Sequence, residues 1–242
     1  MSGQYVIYPL HLGTTIRDNA AAEFLKNPGE KINLPVLAYY VTNGRDRILV
    51  DNGGDPADGL RHMPYYQEEE QFPDRQLARL GVKCEDIPTV ILTHLHWDHS
   101  YNNHLFPGAK FYVQKKELQY AAAPLPVQSH LYDQKVIFQT KYEIIDGDAE
   151  IMDGIRVMLT PGHSKGSQTV LVDTEAGVYA ICGDFVNTYK CWESSPKIVN
   201  GLHTDIEIYY EYYEKLEKRC DHVLPGHDLR VLEHKCYPPP KN

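Results

Sequence analysis

Apolar and polar positions alternate in short bursts along the first third of the chain. VIYPLHL (6–12), VLAYYVT (36–42) and DRILVD (46–51) are rich in β-branched and aromatic residues, the make-up of strands with one buried face. Turn signals separate them: NPGEKINLP before the second, NGR between the second and third, and NGGD after the third. The NGR turn predicts a hairpin. Residues 52–73 read as loop, with the EEE run as a solvated face. PDRQLARLGV (73–82) carries a helical pattern, with Gly81 as its stop signal.

Farther along, TVILT (89–93), KFYVQ (110–114), YEIID (142–146), IRVMLT (155–160), QTVLVD (168–173), VYAIC (178–182) and HVL (222–224) predict strands. KKELQYAAA (115–123) predicts a short helix, and residues 124–141 have no period that assigns them. TDIEIYYEYYEKLEKR (204–219) is the strongest helix. Thr204 and Glu207 form a capping-box pattern, and Ile206, Tyr209, Tyr210, Tyr213 and Leu216 trace one face, which reads as core packing. Two runs of strands with helices between them predict two β layers flanked by helices. No break marks a domain boundary, so residues 1–242 read as a single domain.

Composition narrows the function classes. With 42% hydrophobic and 24% charged residues, the chain is an ordinary soluble globular protein. A formal net charge of -9 and the lack of a Lys/Arg cluster argue against nucleic acid as a partner. No apolar run approaches the roughly 20 residues that span a bilayer. The N-terminal MSGQYVIYPLHLG does not read as a secretion signal, so the expectation is a cytoplasmic protein with no membrane partner. Five scattered cysteines without a C-x-x-C pair oppose both a disulfide framework and a thiolate zinc site.

Histidine is the distinctive residue. The stretch LTHLHWDHSYNN (92–103) places His94, His96, Asp98 and His99 directly after a predicted strand. Alternation in an extended chain sends His94 and His96 to one side. A turn at Trp97-Asp98 then lets Asp98 and His99 face a neighbouring position. Neutral imidazole and carboxylate suit zinc and similar divalent ions. Three further candidates share the strand-then-turn context: His163 in TPGHSKG, Asp184 in ICGDF and His227 in LPGHD. If those strand ends share one edge, His94, His96 and His163 can hold one ion and Asp98, His99 and His227 a second, with Asp184 reaching both.

These motifs, THLHWDH (93–99), TPGHS (160–164), GD (183–184) and PGHD (225–228), resemble the metallo-β-lactamase superfamily in order and spacing. The resemblance implies an α/β fold, a four-layer αββα sandwich with two metals at one edge of its sheets. Paired cations lower the pKa of a shared water, so the expected activity is hydrolysis by a metal-bridging hydroxide, with Asp98 and Asp184 as catalytic carboxylates. Asp98 is assigned a second task, relaying a proton to the leaving group. Zinc is the default metal; iron, manganese and cobalt suit the same donors.

Within the superfamily, His96 stands where the oxygen-reducing diiron branch has Glu, and Asp184 where many true β-lactamases have Cys. Glyoxalase II-like thioester hydrolases share HWDH, but carry a helical domain after the last His, and this chain ends soon after His227. The length and the THLHxDH, TPGHSxG and GHD wording look most like N-acyl homoserine lactonases. That implies opening of a small lactone or similar cyclic ester (a thioester or cyclic amide being the alternative). Those lactonases commonly carry Tyr three residues after the bridging Asp, where this chain has Asn187; Ser100-Tyr101-Asn102 also departs from their small residue and Gly. Both departures bear on the substrate rather than the metals. Asn187, Tyr189 and Lys190 are the candidate substrate contacts, and Lys190 suits a carboxylated substrate. His62, Met63, Tyr65, Tyr66, His130, Tyr132, Trp192 and His203 lie in loops near the pocket, with packing the expected role of each. The partner is a small-molecule substrate. The oligomeric state is open, a homodimer included.

Overall fold

A computed structural model describes residues 4–57 and 63–240. Twelve strands form two sheets among the described residues. The first contains β1 (Val6–Asp18), β2 (Lys31–Thr42), β3 (Arg47–Val50), β4 (Tyr65–Tyr66), β5 (Thr89–Ile91), β6 (Lys110–Gln114) and β7 (Tyr142–Ile145), in the order β4-β1-β2-β3-β5-β6-β7. The second contains β8 (Ala149–Met152), β9 (Ile155–Leu159), β10 (Gln168–Thr174), β11 (Gly177–Ile181) and β12 (His222–Leu224), in the order β12-β11-β10-β9-β8. The helices used below are α1 (Pro73–Ala78), α2 (Trp97–Ser100), α3 (Lys115–Ala122), α4 (Gln134–Gln139), α5 (Tyr189–Glu193) and α6 (Ile206–Glu217).

Period-2 alternation sorts the strand residues into layers. On β2, Leu37, Tyr39 and Val41 face the second sheet, packing with Ile155, Val157, Val170, Val172 and Ile181. Their neighbours Val36, Ala38 and Tyr40 face outward, against Leu77 of α1, Ala121 of α3 and Ile137 of α4. On β10 and β11, Leu171 and Ala180 turn away from the first sheet and meet Tyr209, Tyr213 and Leu216 of α6. Three apolar interfaces thus separate helix, sheet, sheet and helix, which is the expected αββα sandwich. Each fully buried aliphatic or aromatic side chain contributes roughly 1.5–3 kcal/mol.

The NGR hairpin is present: β2 and β3 pair antiparallel with Thr42 opposite Arg47. Other expectations need correction. β1 runs on past Gly13 to Asp18, with a register shift between His11 and Thr14. Within 52–73, β4 adds an edge to β1 through Thr14 and Thr15, and the edge strand β8 has no counterpart among the predicted strands. Residues 124–141 form a 3-10 turn at Ser129–Leu131 followed by α4.

The capping box on α6 does not form. Asp205 is the N-cap, accepting from the Ile208 N–H at 3.1 Å. Thr204 instead donates through Oγ1 to the Gly162 carbonyl at 3.0 Å, tying the helix start to the TPGHS loop. An ionised Asp one residue later is the stronger acceptor for the helix N-terminus. No helix among the described residues is long and apolar enough to cross a membrane.

Candidate metal centre

The topology brings the motifs together. β9 and β11 both pair antiparallel with β10, and β12 is parallel to β11, so β9, β11 and β12 end at one edge. The turns that follow these strands carry His163, Asp184 and His227. β5 lies in the other sheet, and the Gln168 N–H donating to the Thr93 carbonyl at 2.8 Å stitches its end to that edge. Two glycines permit the approach. A Cβ on Gly162 (φ +137°) would lie 2.5 Å from the Tyr209 ring, and one on Gly183 (φ +51°) 2.5 Å from Thr93 Oγ1.

His94, His96, His163 and Asp184 form one buried cluster, and Asp98, His99 and His227 a second. His94 and His96 have ring centroids 4.5 Å apart, as neighbours on one side of the chain. The backbone turns after His96 into α2, which aims Asp98 and His99 at the second cluster. Asp184 stands between the two. Its Oδ1 is 2.8 Å from His227 Nε2 and 3.1 Å from His99 Nε2, and its Oδ2 is 3.4 Å from His163 Nε2.

Despite these distances, Nε2 of His94, His96, His99 and His227 and both oxygens of Asp184 are buried with no properly oriented hydrogen-bond partner. Buried polar atoms are nearly always paired. His96 meets His163 through its other ring nitrogen, Nδ1, 3.1 Å from His163 Nε2. Apart from that contact, buried nitrogens and oxygens gathered with so few hydrogen bonds among them are what ligands of a cation look like. The nitrogen and oxygen donors fit two divalent ions.

Outer contacts fix the tautomers. His163 Nδ1 donates to the Leu202 carbonyl and His227 Nδ1 to the Pro35 carbonyl, both at 2.7 Å. Each bond leaves Nε2 as the free donor atom toward the centre. Burial, reinforced by neighbouring imidazoles, pulls His94 and His96 well below the usual histidine range. Burial also lowers His163. Burial opposes charge on His99 as well, but the carboxylates of Asp184, Asp51 and Asp98 outweigh it and hold His99 well above the usual range. Asp184 is held well below the carboxylate range because His227, His99 and His163 overcome the effect of its burial.

The metallo-beta-lactamase superfamily profile matches residues 32–227. The chain belongs to the metallo-beta-lactamase superfamily. An N-acyl homoserine lactonase from Bacillus cereus is 31% identical over 239 residues, covering 92% of this chain and 93% of the relative. The crystal structure of a B. thuringiensis AiiA variant with N-decanoyl-L-homoserine at its active site has a TM-score of 0.83 and 26% identity, covering 96% of each chain. An N-acyl homoserine lactone hydrolase with N-hexanoyl-L-homoserine at its catalytic metal centre has a TM-score of 0.82 at 26% identity, again over 96% of each chain. These relatives lie in the branch to which the motifs pointed.

Within this superfamily member, the candidate substrate contacts separate. Asn187 is buried, its Oδ1 accepting from Asn200 Nδ2 at 3.1 Å, and its Nδ2 has no partner. Tyr189 lies under Arg230, 4.4 Å from the ring centroid, on the core between the sheets. Lys190 is half-exposed and ion-paired with buried Glu23 at 2.5 Å, so its charge is spent outside the metal clusters. Among the loop residues, Tyr65 donates to the Leu12 carbonyl and Tyr132 to Glu117. Met63 packs on the outer-face core, Tyr66 is exposed, Trp192 packs on Tyr213 and His203 edges onto Phe24. His130 lies in the 3-10 turn before α4, and His62 lies outside the described residues.

Three residues around the centre carry no motif. Asp51 Oδ2 lies 2.8 Å from His99 Nδ1, and its two oxygens also accept from the N–H and hydroxyl of Thr93. Glu117 of α3 is buried and accepts from Leu95 N, Tyr132 Oη, Ser164 Oγ and Gly166 N. Arg17, at the end of β1, donates through Nη2 to Asp98 Oδ2 at 2.6 Å. Asp51 and Glu117 had a usable signal in a carboxylate next to a strand end or on a short helix; Arg17 had none.

Proposed function

We propose that this protein is a dinuclear zinc hydrolase that opens a small lactone, in the manner of the N-acyl homoserine lactonases it resembles. The observation that carries the reading is Asp184, whose two oxygens face His227 and His99 on one side and His163 on the other. In this reading His94, His96 and His163 would hold one ion, Asp98, His99 and His227 would hold the other, and Asp184 would be within reach of both. When bound, the two cations supply a water of lowered pKa and polarise the ester carbonyl. The N/O donor set supports zinc as the resident metal.

The chain's own part is orientation and proton transfer. The Leu202 and Pro35 carbonyls and the Asp51 carboxylate hold three imidazoles in one tautomer each. Attack of water forms a bond to the acyl carbon and breaks the ring C–O bond. Asp98, beside both His99 and His227, takes the proton from the nucleophile and returns it to the ring oxygen, leaving a hydroxy acid. All five cysteines are unpaired, which supports a reducing compartment such as the cytoplasm.

The test is metal quantification on purified protein, followed by pH-stat assays across lactones, thioesters and cyclic amides. About two equivalents of zinc and acid release from lactones are expected. Thiol release from thioesters without any lactone turnover would replace the lactone by a thioester. Protein free of metal, or loaded but inert toward all three classes, would end the reading.

A further inference from the structure

Arg17 is out of keeping with its surroundings. It is only 9% exposed, and one N–H binds Asp98. Its Nε is buried with no partner, and no hydrogen bond to Nη1 exists among the described residues. Its charge is felt at His96 and His163, adding to the burial that lowers both. A guanidinium therefore stands at the edge of the metal clusters with most of its donors unused.

Asp98 does not account for it. In the reading above, the Asp98 carboxylate already serves a cation, so Arg17 adds a surplus positive charge to a site that would hold two dications. A buried cation is costly unless it is fully paired. A neutral lactone gives it nothing to pair with. A carboxylate does, because the guanidinium fork matches its two oxygens.

We propose that Arg17 is a carboxylate-recognising residue: anchored to Asp98 by one N–H, it presents its remaining donors to an acidic group of the ligand. This rests on the lactonase reading. The carboxylate is either carried by the substrate or released by ring opening. The role that the sequence suggested for Lys190 thus falls to Arg17, since Lys190 is taken up by Glu23.

The test uses the zinc-loaded wild type, Arg17→Gln and Arg17→Lys. Calorimetry measures binding of 4-hydroxybutyrate and 2-hydroxyglutarate, the ring-opened forms of γ-butyrolactone and its γ-carboxylate. Kinetics give the ratio of kcat/KM for the carboxylated over the neutral lactone. If the carboxylate is substrate-borne, Arg17→Gln loses about 10- to 100-fold in 2-hydroxyglutarate affinity, the ratio falls alongside, and 4-hydroxybutyrate binding holds. If the ring-derived carboxylate is the ligand, both hydroxy acids weaken together and the ratio holds. Either pattern supports the proposal.

Arg17→Lys keeps the charge without the fork and falls between wild type and Gln. Should the Gln variant lose metal, Lys alone decides, with weakening of about tenfold expected. Affinities within about twofold of wild type, at full metal content, overturn the assignment. If wild type hydrolyses neither lactone while the Arg17-dependent affinity loss persists, the lactone reading fails and the carboxylate site stands.

Discussion

Asp51 accepts a hydrogen bond from Nδ1 of His99 at 2.8 Å, with both side chains buried. Asp51 also has φ +60°, a left-handed conformation that Asn tolerates and Ala does not. Asp51→Asn is therefore expected to fold with little strain while losing the charge that holds His99 in place. Metal affinity should fall about 10- to 100-fold, as outer-shell substitutions generally produce. Asp51→Ala should add about 1–3 kcal/mol of destabilisation from backbone strain. Titration with a competing chelator and chemical denaturation measure the two effects. An Asn variant with wild-type zinc affinity would remove Asp51 from the centre.

How much of this was legible in the sequence depends on whether a residue's neighbours are local. His94, His96, Asp98 and His99 lie on one segment, and strand alternation plus one turn places all four. His163, Asp184 and His227 each follow a predicted strand, but whether those strand ends share one edge was a condition that only the pairing of β9, β11 and β12 meets. Arg17 was hidden because the first predicted strand stopped at Leu12, whereas β1 continues through a register shift. Its partner lies 81 residues away, and no local period encodes that. Thr204 was misread for a related reason: a tertiary partner, Gly162, claims its hydroxyl.

The two clusters should load with different pH dependence. In the metal-free protein, His94, His96 and His163 are lowered and therefore neutral at pH 7, whereas His99 is raised and keeps its proton. An ion entering the first cluster displaces no histidine proton; one entering the second must displace that of His99. Affinity at the second cluster should thus rise with pH through the raised pKa of His99, while the first stays flat near neutrality. Stability of the metal-free chain follows the same signs. The lowered histidines cost stability as pH falls below about 6.5, their unfolded value, whereas the contribution of His99 is full there and lost as pH rises through its folded value. Calorimetry in two buffers of different protonation enthalpy should show more proton release by the second ion than by the first. Equal release would contradict the assignment.

Tyr209 of α6 supports Asp184 from behind. Its hydroxyl lies 2.9 Å from the Asp184 carbonyl and 2.8 Å from that of Phe185. Both carbonyls have a second donor: Asn200 Nδ2 on Asp184 and Tyr213 Oη on Phe185. Tyr209→Phe should therefore cost only about 0.5–1.5 kcal/mol. Combined with Asn200→Ala, the Asp184 carbonyl loses both side-chain donors, so the double variant should lose more than the sum of the singles, by roughly 0.5 kcal/mol or more. Denaturation midpoints of the four proteins give the coupling directly, and strict additivity would argue that Asp184 is held by its turn alone.

Glu117→Gln tests whether a single buried carboxylate holds the two metal loops in register. Oε1 accepts from Leu95 N, between His94 and His96, and from Tyr132 Oη; Oε2 accepts from Ser164 Oγ, next to His163, and from Gly166 N. Burial raises the Glu117 pKa, with these four donors pulling it back down. Glutamine keeps the shape but replaces one oxygen by a donor. Whichever way the amide turns, its NH2 meets one hydroxyl, which can rotate to accept, and one backbone N–H, which cannot. At least one buried N–H is left unpaired, at a cost of about 1–3 kcal/mol. For a chain of this length, each kcal/mol lowers Tm by roughly 2–4 °C. Glu117→Ala leaves all four donors without their acceptor and should be worse. Because the strain falls on Leu95 or on the His163 loop, zinc affinity should drop with stability in the Gln variant. A variant that melts earlier yet binds zinc as tightly as wild type would make Glu117 a core residue with no hold on the centre.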